Sequence, residues 1–154
     1  LVWYEQLRAG GEITFKQHVI LSPEQKRLPD KYGVCFTELH AIDLVDMDGD
    51  GLKDIVTGKR FWSHGHEGDP DRNDNAVLYW FKLVRGPGHT AEFLPHLIDD
   101  SSGVGTQVVA ARVSNEKFPD VVVGNKRGTF YLQHSAKKVS KAEWQAAQPK
   151  LANP

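Results

Sequence analysis

The 154 residues read as an all-β chain: a partial β-propeller of about two to three antiparallel blades, with a short C-terminal helix. Three observations point there. Short runs of β-branched and aromatic residues recur, bounded by Gly, Pro, Asn and Asp. Several of these runs echo one another in fixed order, the mark of a repeat architecture. A carboxylate-rich loop of nine residues joins two of them. Short, evenly spaced strands favour a propeller over a helical solenoid, and a self-contained β-sandwich is the competing architecture.

Taken in order, Leu1 begins inside what reads as an outer strand, Phe15–Ile20 is a run that recurs later in the chain, and Ser22–Lys31, with Pro23 and Pro29, reads as a loop between units. His40–Val45 is the first strand of the next unit, and Ile55–Thr57 leaves the acidic loop into the second, which ends near Lys59-Arg60-Phe61-Trp62. Ser63–Asn75 is a long polar insertion. Val77–Leu83 echoes Leu1–Leu7, Phe93–Ile98 echoes Phe15–Ile20, and Asp120–Asn125 echoes Asp54–Lys59. Asp54 and Asp120 lie 66 residues apart, so residues 1–134 hold little more than two units and residues 135–154 form a tail. In that tail Ser140-Lys141-Ala142-Glu143 is a capping box that opens a helix through Ala147, limited by Pro149, with Trp144 expected to dock it onto a sheet. A ring needs roughly four to eight blades, so other blades of the same protein, or other chains, are expected to complete it.

The loop is Asp46-Met47-Asp48-Gly49-Asp50-Gly51-Leu52-Lys53-Asp54. Alternating carboxylates at this density supply the hard oxygens that calcium takes, whereas magnesium prefers to keep its waters. Asp46, Asp48, Asp50 and Asp54 would give side-chain oxygens and Leu52 its backbone carbonyl, while Gly49 and Gly51 allow positive φ. An EF-hand needs a bidentate Glu at its twelfth position, and that position is Thr57 here. A solvated acidic turn is the competing reading of the same residues. Aligned on Asp120, the second copy carries Arg112, Ser114 and Glu116 in place of three of the aspartates, so no ion is expected there.

The run from His40 to Gly58 resembles the FG-GAP or VCBS repeat, whose blades carry D-x-D-G-D-G-x-x-D before a hydrophobic strand. The resemblance implies a propeller blade with calcium between its first two strands. That family spans adhesion proteins, secreted proteins and some lyases. Gly58-Lys59-Arg60-Phe61-Trp62 and the His-rich loop after it also resemble the propeller portion of aldos-2-ulose dehydratase-type lyases, which dehydrate keto sugars and use metal ions.

Strand direction places a second candidate face. The acidic loop reverses the chain, so the start of the first strand and the end of the second lie together, away from calcium. This gathers His40, Lys59, Arg60, His64, His66 and Asp69 as candidate catalytic or ligand-binding residues. Histidines with a carboxylate can hold a second metal, zinc or magnesium, near His64 and His66, or act as acid and base. Lys59 and Arg60 could neutralise an anionic substrate, and Gln107, Asn125, Lys126 and Arg127 occupy the same face of the next unit. Surface histidines in a polar loop are the competing account. His18 and His96 read as structural.

Composition narrows the classes. With 19 basic and 20 acidic residues the formal net charge is −1, without the basic stripe that nucleic acid binding needs. No apolar run is long enough to span a bilayer. Cys35 stands alone and reads as a buried strand residue. A calcium site of modest affinity serves where calcium is millimolar, so a secreted or periplasmic setting is expected. The functional expectation is a calcium-binding propeller segment that binds a ligand, with carbohydrate as a candidate, or a protein. The alternative is the propeller part of a metal-dependent keto-sugar lyase.

Overall fold

The computed structural model describes residues 1–22, 29–61, 63–64, 68–114 and 116–152. Among them lie β1 (Val2–Ala9), β2 (Glu12–Val19), β3 (Ile42–Val45), β4 (Asp54–Gly58), β5 (Leu78–Arg85), β6 (Ala91–Asp99), β7 (Gln107–Ala111), β8 (Asp120–Asn125), β9 (Gly128–Leu132) and the helix α1 (Lys141–Ala146). They form three antiparallel sheets, the hairpin β1-β2 and the meanders β3-β4-β5-β6 and β7-β8-β9. The all-β reading with one short helix is therefore correct. The three sheets close into neither a barrel nor a ring among the described residues.

The hairpin β1-β2 turns through Gly10 and Gly11, both at positive φ (58° and 88°), the conformation that a two-residue hairpin turn demands. The central sheet carries apolar side chains on both faces. Val56 and Leu78 join Met47, Val104, Val108, Ala110, Val121 and Val123 in a core against the third sheet. Ile55 and Phe81 point the other way, into a second core with Leu21 and Phe36. Register explains the division: Val56 faces Trp80 across the strands and Ile55 faces Phe81, and successive side chains alternate between faces. All five residues of β4 are buried, as expected of a strand covered on both sides. Polar stitching joins the sheets, since the Ala110 N–H of β7 donates to Asp43 Oδ2 of β3 at 2.7 Å and the Val104 N–H donates to the Lys59 carbonyl at 3.1 Å.

Three expectations need correction. His40 precedes its strand, which begins at Ile42. Cys35 is half-buried in an irregular segment rather than in a strand. The capping box of α1 forms, with Glu143 N–H donating to Ser140 Oγ at 3.2 Å and Ser140 N–H donating to Glu143 Oε2 at 2.8 Å. Yet α1 buries no residue and Trp144 is 54% exposed, so Trp144 does not dock the helix. Six residues present less than two turns, too little to hold an apolar stripe against a sheet. The tail instead returns through Ala152, whose N–H donates to the Lys31 carbonyl at 2.8 Å.

Candidate metal centres

The acidic loop connects β3 to β4, which pair from Ile42↔Thr57 to Val45↔Asp54. Its own backbone folds around Asp46: Oδ1 accepts from the N–H groups of Gly49 (2.7 Å) and Asp50 (3.1 Å), and Oδ2 from that of Gly51 (2.9 Å). Asp50 Oδ1 likewise accepts the Leu52 N–H at 2.9 Å. Gly49 and Gly51 take φ of 79° and 88°, which residues with a Cβ rarely adopt. Under these constraints Asp46, Asp48 and Asp50 each bring one carboxylate oxygen within 4.8 Å of the others. That donor set is of the hard type calcium takes.

Two features of this loop were not legible beforehand. Lys82 reaches over from β5, and its ammonium bonds Asp48 and, at 2.9 Å, Asp50 Oδ2. Burial works against the charge on Lys82, but the bonds to Asp48 and Asp50 outweigh it and hold its pKa above the usual value. The same bond to Lys82, helped by the Leu52 N–H, holds Asp50 below the ordinary carboxylate range.

Asp54 is the second feature. It is fully buried and lies outside the group of three carboxylates. Its Oδ2 accepts the Met47 N–H at 3.0 Å and its Oδ1 the Leu83 N–H at 2.8 Å, so both oxygens staple the loop to β5. Burial pushes its pKa up despite those bonds. Asp120 does the same in the second copy: Oδ2 accepts from Val113 (3.2 Å) and Ser114 (2.7 Å), and Oδ1 from His134 (2.8 Å). Met47 and Val113 stand seven residues before their aspartates, so the staple recurs at fixed spacing. It needs no ion, which is a physical reason for Asp120 to persist beside Arg112, Ser114 and Glu116.

The other end of β3 and β4 carries the second cluster. His40 and His64 stand 6.3 Å apart between ring centroids. His40 Nε2 lies 3.2 Å from Glu38 Oε2 and 2.8 Å from Ser63 Oγ. His64 Nδ1 lies 2.9 Å from Asp69 Oδ1 and 3.6 Å from Glu38 Oε2. Asp69 is buried, and burial opposes its ionisation. The Ser63 N–H (2.5 Å), the His64 ring and the His64 N–H (3.1 Å) prevail and keep its carboxyl below the usual range. Glu38, absent from the sequence reading, is held with φ at 59°, a conformation unusual for a residue with a Cβ. The Arg60 N–H donates to its carbonyl at 3.0 Å. Its one sequence signal is its spacing, two residues before His40.

Lys59 does not face this cluster as a free cation. Its side chain is fully buried, 3.9 Å from Asp71 Oδ1, and it donates to the Arg60 carbonyl at 3.1 Å. Asp71 also accepts the Thr37 N–H (2.8 Å) and hydroxyl (2.6 Å). Arg60 is half-buried, while the Arg127 guanidinium stacks 3.9 Å over Phe61. His66 lies outside the described residues. Comparison of the chain with protein-family models, with curated proteins and with solved structures finds no match in any of the three.

Proposed function

We propose that the chain is a calcium-binding segment of a β-propeller of the FG-GAP/VCBS kind, exported from the cytoplasm and serving to bind a ligand or a protein. The observation that carries this reading is the convergence of Asp46, Asp48 and Asp50 on the loop between two antiparallel strands. The four-stranded meander, followed by a second meander whose first strand lies beside its own, supports successive blades. Calcium here is structural. It cross-links the turn of β3-β4 and releases Lys82, and it supplies no electrophile to a bound molecule at the far end of those strands.

Thermal melting with calcium and with chelator tests the reading. Calcium at 100 times its dissociation constant stabilises a fold by about 2.7 kcal/mol if only the folded state binds. For a chain of this size that is roughly 5–11 °C in melting temperature. One ion per chain is expected by calorimetry, lost in Asp48→Asn. Equal melting temperatures with and without calcium would rule the reading out.

A second reading, a lyase dehydrating keto sugars, is favoured by one observation: His40 with Glu38, and His64 with Asp69, are the paired groups that proton abstraction and leaving-group protonation require. It predicts an enone absorbance when the chain meets a keto sugar. No absorbance under any metal condition would remove it.

A further inference from the structure

We propose that Glu38, His40, His64 and Asp69 form a binding site for one divalent transition-metal ion of the zinc class. The site is independent of the calcium loop and includes neither His66 nor Lys59. Glu38, His64 and Asp69 offer donor atoms that all lie within 4.8 Å of one another. His40 stands outside that group of three, with Nε2 at 3.2 Å from Glu38 Oε2, and becomes the fourth ligand by turning its side chain toward the ion. Zinc bound tetrahedrally at about 2.0–2.1 Å separates neighbouring ligand atoms by about 3.3 Å. The separations of 3.2 Å (His40–Glu38), 3.6 Å (His64–Glu38) and 2.9 Å (His64–Asp69) lie within a few tenths of an ångström of that value.

The surroundings suit such an ion. Two imidazole nitrogens and two carboxylates make a mixed N/O donor set, which favours zinc over calcium and magnesium. Two carboxylates balance a doubly charged cation. Asp69 is oriented by the backbone N–H groups of Ser63 and His64, the kind of outer contact that fixes a metal ligand, whereas the Ser63 hydroxyl sits on His40 Nε2 itself and yields that nitrogen to the ion. Glu38 keeps its unusual backbone because Arg60, just past β4, holds its carbonyl. His40 stands two residues before β3, so the ends of one strand pair fix two corners of the site. His64 and Asp69 supply the other two corners. The rival account is a set of histidine–carboxylate ion pairs that needs no metal.

Cobalt(II) is the probe, because four-coordinate cobalt absorbs strongly in visible light. The chain is stripped with chelator, returned to saturating calcium, and titrated with cobalt and then with zinc. One cobalt per chain is expected, displaced by zinc and not by millimolar calcium. Glu38→Gln and His64→Ala should weaken zinc binding by tenfold or more, whereas Asp48→Asn should leave it unchanged. Absence of cobalt absorbance together with absence of zinc binding heat would overturn the proposal. So would zinc affinity unaltered in both Glu38→Gln and His64→Ala. If His64→Ala fails to fold, Glu38→Gln decides, since it keeps the side-chain shape. Loss of the calcium-dependent melting shift alone would refute the calcium loop and leave this site standing.

Discussion

Replacing Asp71 by Ala tests the claim that Lys59 serves the fold rather than a ligand. Both side chains are fully buried, 3.9 Å apart, and Asp71 also accepts two hydrogen bonds from Thr37. Asp71→Ala strands an ammonium in the interior with the Arg60 carbonyl as its one remaining partner among the described residues, and leaves the Thr37 N–H without its acceptor. Breaking a buried pair by removing one member costs about 3–5 kcal/mol. In a chain of this length that lowers the melting temperature by about 6–20 °C. The cost is a large part of the roughly 5–15 kcal/mol that holds a typical domain together. In the double variant Lys59→Met/Asp71→Asn the stranded charge is gone and the amide oxygen can still accept from Thr37, so at least half of the loss should return. Calorimetric melts of the wild type, the single variant and the double variant measure both quantities. A single-variant cost below about 1 kcal/mol, the level of an exposed pair, would show that Asp71 does not anchor the insertion. No recovery in the double variant would show that the charge on Lys59 was not the cause.

Phe81 is fully buried and Phe15 is 65% exposed, so Phe81→Ala should cost about 3–5 kcal/mol and Phe15→Ala no more than about 0.5 kcal/mol in denaturant titrations. Similar losses at both would contradict the placement of the second core. Asp120 is held well below the ordinary carboxylate range, first by the Ser114 N–H, against the effect of burial, and then by the His134 N–H. A depressed carboxyl contributes stability above the unfolded pKa near 3.9, and that contribution fades as pH falls below it. The stability gap between wild type and Asp120→Asn should therefore be full at pH 6 and shrink below about pH 4. A gap independent of pH would refute the assignment.

What the sequence by itself determined is local. The Asp46 loop is stitched by bonds spanning three to five residues, so its aspartates and glycines suffice to specify it. The α1 cap spans three residues, and the meanders follow from alternating apolar side chains and glycine turns. Tertiary structure decided which partner each charged group meets. Lys82 finds Asp48 34 residues away, Asp54 turns to Leu83 29 residues away, and Thr37 bonds Asp71 across 34 residues. Spacing identifies Asp54 and Lys59 as groups suited to an ion or an anion, and cannot say that both will be sealed inside. Likewise His40 and His64 are legible as neighbours from strand direction, but Glu38 enters their cluster only through a backbone bend held by Arg60. Local patterns act through short-range sterics and hydrogen bonds that a few residues encode. Partner choice over tens of residues depends on sheet pairing and on what packing excludes from water, and those are properties of the assembled chain.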